Sequence, residues 1–269
     1  MPPFRCLLVA PAALCVAATA AAQPAGGQAD LARQLSNPVA ALISVPLQLN
    51  HDRDIGATRA GERWTLNVQP VVPIELAPDW NLISRTVVPL VTQDEIVPGS
   101  GRQSGLGDVV QSLFLSPKAP TAGGWIWGAG PAFLLPTGSD DRLSARQWAA
   151  GPTAVVLRQE RGWTYGALAN HLWSLAGDSA RADVNATFVQ PFVSYTTPDA
   201  WTATLNTEST YDWMTRQWTV PVNALVSKVT RFHGQLLSVG GGLRYTVEGP
   251  EGAPHGWGLR LVVTLLFPR

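Results

Sequence analysis

The sequence predicts an all-β fold: a transmembrane, antiparallel, up-and-down β-barrel of about 12 strands. Three observations carry that expectation. In the closing stretch, Gly256 to Phe267, the odd positions Trp257, Leu259, Leu261, Val263, Leu265 and Phe267 are all apolar, while the even set holds Gly258, Arg260 and Thr264. Alternate side chains of a strand lie on opposite faces, so one face is greasy and ends in an aromatic at either side. The same alternation recurs along the chain, with tryptophans placed where strands open. Finally, beyond the amino terminus no run reaches the roughly 18 uninterrupted apolar residues of a spanning helix, so insertion has to be by strands closed into a barrel.

The amino terminus has Arg5, an apolar run from Leu7 to Ala21 broken by Pro11, and the small-residue site Ala20-Ala21-Ala22 before Gln23. That pattern is a secretory signal peptide over 1–22, with cleavage expected after Ala22. Both cysteines, Cys6 and Cys15, fall inside it, and Ala13-Leu14-Cys15-Val16 lacks the small residue that precedes a lipid-modified cysteine. The exported chain is therefore expected to carry no disulfide and no thiol chemistry. Residues 23–38 read as a periplasmic lead-in, and 39–269 as one barrel domain. With 19 basic and 19 acidic residues the formal charge is zero, and no basic tract interleaves with aromatics. Nucleic acid is excluded as a partner class on that basis.

Taken in order, Val45, Leu47 and Leu49 alternate with Pro46, Gln48 and Asn50 in a first strand that ends in the polar stretch His51 to Glu62. The second places Trp64, Leu66, Val68, Pro70, Val72, Ile74 and Leu76 on one face and Arg63, Thr65, Asn67, Gln69 and Glu75 on the other. Pro70 and Pro73 predict bulges or an irregular register there, because proline donates nothing to a ladder. A third strand opens at Trp80 and carries Arg85 opposite Trp80 and Leu82, followed by a long polar loop over 92–104. Further strands are expected over about 107–115, 125–135, 148–158 and 163–175. The eighth, over about 184–195, has apolar residues on both faces, which leaves its facing open. The ninth has Thr202, Thr204, Asn206, Glu208, Thr210 and Asp212 on one side against Trp201, Ala203, Leu205 and Tyr211 on the other. Strands over about 218–228, 236–247 and 257–267 complete the set.

Connection lengths and tryptophans give the orientation. The links around 77–79, 159–162 and 197–200 are short, as periplasmic turns are, whereas those after strands one, three and five are long and polar. Ser116 to Gly124 is long for a turn and the link at 213–216 is short for an outer loop. Trp80, Trp125, Trp163 and Trp201 each open a strand after a predicted periplasmic turn, and Trp64, Trp148, Trp218 and Trp257 each open one descending from the outer side. Amphipathic rings settle at the two membrane–water interfaces, so these eight are expected to form two girdles.

Several of these segments resemble one family. Asn37-Pro38 with Ser44-Val45-Pro46-Leu47-Gln48, Asp79-Trp80-Asn81-Leu82-Ile83-Ser84-Arg85, Ser104-Gly105-Leu106-Gly107-Asp108, Leu205-Asn206-Thr207-Glu208-Ser209 and the closing Gly-Trp-Gly-Leu-Arg are similar to Gram-negative outer-membrane proteins labelled transporters, grouped under the meta-pathway of phenol degradation. The resemblance spans nearly all of the exported chain. It implies the barrel, the outer membrane of a Gram-negative bacterium, and passive uptake of small, hydrophobic or aromatic solutes. The partners implied are outer-membrane lipid, the barrel-assembly machinery and a small-molecule solute. No catalytic motif and no cofactor come with it.

The inward charges Glu75, Arg85, Asp108, Glu208, Arg244 and Arg260, with Asn206, are the candidate lumen or selectivity residues. They either line a wet pore or pair into a salt-bridged plug, since buried charges need partners and mixed signs supply them. His171 shares the outer face with Trp163, Tyr165 and Trp173, but Ser174 lies on the opposite face, so no base and nucleophile align on that strand. His51, His171, His233 and His255 are scattered without ligand spacing, and no metal is expected. Gly105-Leu106-Gly107 and Gly240-Gly241-Gly242 precede no helix, so they read as bends or close backbone approaches rather than phosphate cradles. The leading expectation is a passive channel and no enzyme. The alternatives are a lipid-modifying enzyme of the outer leaflet, or a structural barrel with a filled lumen.

Overall fold

The computed structural model describes residues 25–268; the predicted signal peptide, with Cys6, Cys15 and the site after Ala22, lies outside the described residues. Helix α1 (Ala25–Leu35) precedes twelve wall strands: β1 (Ile43–Ile55), β2 (61–77, as Gly61–Val68 and Val71–Ala77), β3 (Trp80–Asp94), β4 (102–117, as Arg102–Leu106 and Val109–Pro117), β5 (Trp125–Leu135), β6 (Gln147–Glu160), β7 (Trp163–Gly177), β8 (Asn185–Thr196), β9 (201–212, as Trp201–Thr207 and Ser209–Asp212), β10 (Gln217–Phe232), β11 (Gln235–Glu248) and β12 (Gly256–Phe267). Each pairs antiparallel with the next, and β12 returns to β1 through Leu49↔Leu261 and Asn50↔Arg260, which closes the ring. Closure leaves no edge, the condition for a sheet in lipid. No helix among the described residues is long and apolar enough to cross a membrane.

The interruptions have chemical causes. At Pro70 the ladder breaks without a slip, since Leu47↔Val68 and Ser44↔Val71 keep one register and the Pro70 carbonyl accepts from Thr86 N at 3.1 Å. The expected irregularity falls instead at Glu75/Ala77. In β9 the gap at Glu208 faces Pro221: Glu208 N donates to Pro221 O at 3.2 Å, but proline has no N–H to return the bond. In β4 the break is a true bulge, with Leu90↔Leu106 on one side and Val87↔Val110 on the other leaving an extra residue near Gly107-Asp108.

Two polar stretches expected as loops are strands. His51 to Ile55 and Gly61-Glu62 continue β1 and β2, and β3 pairs with β4 out to Asp94↔Arg102, so the long loops shrink to 56–60 and 95–101. Polar alternation there reflects strands that need no apolar coat, so hydrophobic periodicity ends before the ladder does. The ambiguous strand β8 turns Phe188, Gln190, Phe192 and Ser194 inward and Tyr195 outward. Its inner face is apolar because Phe188 and Phe192 pack on a lumenal cluster of Val39, Ile83, Phe114, Val155, Leu157 and Leu168.

Helix α1 lies inside the barrel. Its Ala and Leu content favours a helix, Asp30 and Arg33 pair across one turn, and Leu31, Ala32 and Leu35 make one apolar side. That side packs with Ala40 and Leu42 on the inward residues Ala200, Val229, Leu236 and Leu266. These flank the turns at 197–200 and 233–234, so the helix occupies the barrel end that also holds the short turns. Ser36 and Asn37 close it, Asn37 Oδ1 accepting from Val39 N at 3.0 Å, and Pro38 cannot continue it. Gln159 Nε2 ties it to the wall by donating to Arg33 O at 2.7 Å.

Candidate functional site

Above the helix the inner wall is polar, and its charged residues form a cross-lumen network centred on Arg260. Parity fixes its members: Asn50 and Asp52 of β1, Arg63 and Gln69 of β2, Arg85 of β3, Asn206 and Glu208 of β9, Arg244 of β11 and Arg260 of β12 all stand on inward positions. The Arg260 side chain is 2% exposed. Its Nε donates to Asn50 Oδ1 at 2.7 Å, and its two terminal nitrogens donate to the two Glu208 oxygens at 2.8 and 2.7 Å. This is the fork-on-carboxylate geometry of a strong charge-assisted pair. Arg244 Nε lies 3.0 Å from Asp52 Oδ1 but is not aligned for a hydrogen bond, and its NH1 is 3.7 Å from Glu208. Room for two guanidinium groups exists because their ladder partners are glycines: Gly242 opposes Arg260 and Gly258 opposes Arg244. A methyl at Gly258 would stand 3.2 Å from Asp52 Oδ1 and 2.4 Å from the His51 carbonyl.

Two further arginines are held by amides. Arg85 NH2 donates to Gln69 Oε1 at 3.0 Å, and Arg63 Nε to Gln93 Oε1 at 2.9 Å, with Gln93 in turn donating to Gln103 at 3.2 Å. Asn206 accepts from Asn223 Nδ2 at 2.8 Å beside Glu208. Between this network and helix α1 lies a cavity of about 290 Å³, bounded by Arg85, Glu208 and Arg260 on one side, Leu168, Phe192 and Leu225 on the walls, and Leu35 to Pro38 below.

Not every candidate joins the network. Glu75 faces inward at the rim and pairs with Lys118 Nζ at 2.7 Å, the Glu75 side chain being 66% exposed. Asp108 anchors the 136–146 loop, its oxygens accepting from Gly138 N at 3.0 Å and Ala145 N at 2.6 Å. The bulge beside it turns the carboxylate toward that loop. The same loop presses on the glycines of this strand, where a Cβ at Gly105 would lie 2.0 Å from Ser139 Oγ. Conversely, Asp52, Arg63, Gln69 and Asn50 belong to the network without having been singled out. Inward parity was a usable signal for the last three, whereas Asp52 sits in a stretch whose polarity concealed its strand.

The outer wall carries the aromatics. Trp64, Trp80, Trp125, Trp148, Trp163, Trp201, Trp218 and Trp257 are all exposed, together with Trp127, Trp173 and Trp213. His171 stands on this wall between Trp173 and Trp213; its Nδ1 is 2.7 Å from Thr187 Oγ1, which accepts from Trp213 Nε1 at 2.8 Å. Ser174 Oγ instead accepts from Val184 N. His51 stacks on Trp64 with ring centroids 4.0 Å apart. Among the described residues no three His, Cys, Asp or Glu side chains are grouped to hold a metal.

Known structures share this architecture. The crystal structure of an outer membrane channel from Pseudomonas putida F1 aligns at a TM-score of 0.66 with 16% identity, covering 84% of this chain and 96% of that one. Outer membrane phospholipase A from Escherichia coli is a looser likeness, at 0.49 and 10% identity over 83% of this chain and 96% of that one. So is the beta domain of the Bordetella autotransporter BrkA, at 0.45 and 14% over 84% and 100%. Comparison with curated proteins gives no match. The profile of the MetA-pathway of phenol degradation family, however, matches residues 47–250, from the middle of β1 past the end of β11 and across every member of the charged network except Arg260. With that span matched, the chain belongs to the MetA-pathway of phenol degradation family.

Proposed function

We propose that this barrel is a passive channel of the Gram-negative outer membrane for small, hydrophobic or aromatic solutes, and that it catalyses no reaction. One observation carries the reading: the strand interiors enclose a cavity of about 290 Å³ lined by polar and charged side chains such as Gln69, Arg85, Thr204 and Glu208 together with apolar ones such as Leu168 and Phe192, rather than a core packed solid. An open interior carrying polar groups inside an apolar, tryptophan-studded wall is how a solute-conducting barrel is built. The family membership and the channel from Pseudomonas putida that shares the fold support the same reading. In this reading the short turns and helix α1 lie at the periplasmic end, with the network of Arg260 above them.

The buried Arg260–Glu208 pair and the seated helix favour a second reading, a structural barrel with a filled lumen. The two differ in conductance. Purified protein in a planar bilayer should give discrete single-channel steps, and proteoliposomes should swell in small neutral solutes; a protein that inserts, resists unfolding in sample buffer until boiled, and yet conducts nothing is the filled barrel. Outer-leaflet lipid hydrolysis is disfavoured by the His171 surroundings, since the hydroxyl within reach is that of Thr187 and the ring's other nitrogen, buried, has no partner that would orient it as a base.

A further inference from the structure

We propose that the chamber between helix α1 and the Arg260 network is a binding site for one small organic anion, a carboxylate bearing a single ring or a short apolar chain, with Arg85 as the residue that takes the carboxylate. The proposal deepens the channel reading by naming the solute class, and relies on that reading only for the route of entry.

The charge balance is the first support. In mid-lumen the inward charges among the described residues are Arg63, Arg85, Arg244 and Arg260 against Asp52 and Glu208. The charges nearest the mouth cancel locally, as Glu75 with Lys118 and Asp30 with Arg33. Two guanidinium charges are therefore left over in a confined, partly dehydrated space, where a field of one sign concentrates counter-ions of the other.

The second support is which arginine is free to act. Arg260 spends Nε and both terminal nitrogens on Asn50 and Glu208. Arg244 is charge-paired with Asp52 and Glu208 without an aligned hydrogen bond, and it does not line the chamber. Among the described residues Arg85 makes one hydrogen bond, from NH2 to Gln69, and it lines the chamber. A guanidinium has five N–H donors in a planar fork, so four remain, enough to seat a carboxylate with two parallel bonds. Gln69 fixes the fork's orientation without neutralising it, and Glu208, the carboxylate whose charge reaches Arg85, already has both oxygens on Arg260.

The third support is the shape of the rest. Besides its polar groups the chamber is lined by Leu168 and Phe192 of β7 and β8, by Leu225 and Val262 near Arg260, and by Leu35 of the helix. An apolar cavity of about 150 Å³ already takes benzene, and this one is about 290 Å³, enough for a ring plus its carboxylate. A fully polar anion such as phosphate would leave that wall unused. A neutral ring would leave the remaining guanidinium donors of Arg85 unmet. A ring carrying a carboxylate satisfies both.

Isothermal titration of the purified, full-length mature barrel in detergent tests this, with benzoate as the probe and benzyl alcohol and benzylamine as its neutral and cationic counterparts. Benzoate is expected to bind at one site, at least about tenfold more tightly than benzyl alcohol, which is the worth of hydrogen bonds to a charged group, and benzylamine not at all. Arg85→Gln should remove that preference and Arg85→Lys should keep part of it, both variants retaining wild-type heat-modifiability. Equal binding of benzoate and benzyl alcohol by the native protein, no benzoate binding, or unchanged binding by Arg85→Gln would overturn the proposal; should Arg85→Gln not fold, the comparison of the three ligands on the native protein still decides. Binding is read without conductance, so benzoate binding by a protein that conducts nothing sinks the channel and leaves the chamber, and conductance without benzoate binding does the reverse.

Discussion

The Arg260–Glu208 pair gives the sharpest stability experiment. Glu208→Gln keeps the shape of the side chain and one acceptor oxygen but removes the charge that meets the fork of Arg260, whose side chain is 2% exposed. Stripping a partner from a fully buried ion pair costs about 3–5 kcal/mol. Glu208 is 22% exposed and the amide retains one bond to the guanidinium, so the expected cost is toward the lower side, about 2–3 kcal/mol. Arg260→Met removes the other partner, leaving Glu208 with Arg244 at 3.7 Å, and should cost a similar amount. The double variant should cost less than the two singles together, with a coupling of about 1–3 kcal/mol. Urea unfolding in lipid vesicles, followed by tryptophan emission, measures all three, and boiling-dependent gel mobility confirms assembly. Additive costs, or a Glu208→Gln variant as stable as the native protein, would mean that water screens the pair and that the lumen is far wetter at this level than the burial of Arg260 implies.

Other consequences are as direct. Leu205→Arg or Leu261→Arg, on exposed outer-face positions, should each hinder insertion by about 2–4 kcal/mol if near the midplane, while Thr204→Arg, facing the lumen, should be milder; equal costs in a vesicle-folding titration would reverse the facing. Leu31→Asp sets a charge into the apolar seat of helix α1 against Val229, Leu236 and Leu266, and should raise single-channel conductance without loss of the barrel; unchanged conductance would mean that the helix does not limit the pore. Gly105→Val places a side chain against Ser139 and should loosen the 136–146 loop at a cost of about 1–3 kcal/mol, visible as faster proteolytic nicking between Pro136 and Arg146 on intact vesicles.

By itself the sequence determined the wall. A strand that touches lipid on one face and lumen on the other must alternate, so β12, β9 and β2 announce their faces residue by residue, and closure with the right strand count follows from the repetition. The tryptophans that open strands could be placed for the same reason, because an amphipathic ring has one favourable depth. What alternation cannot carry is anything set by contacts between non-neighbouring strands. That Glu208 meets Arg260 across β10 and β11, that Asp52 meets Arg244, and that Asp108 holds the 136–146 loop depend on shear, on glycines at 242 and 258 that clear the space, and on a bulge in β4. Polar strands at the outer rim were read as loops because periodicity vanishes where both faces meet water. Helix α1 was readable as no more than a lead-in: eleven residues of weak amphipathicity define no partner until the barrel presents Val229, Leu236 and Leu266 as a seat. Local patterning thus fixed which face each residue shows, and only the closed barrel decided which residues on the inner face meet.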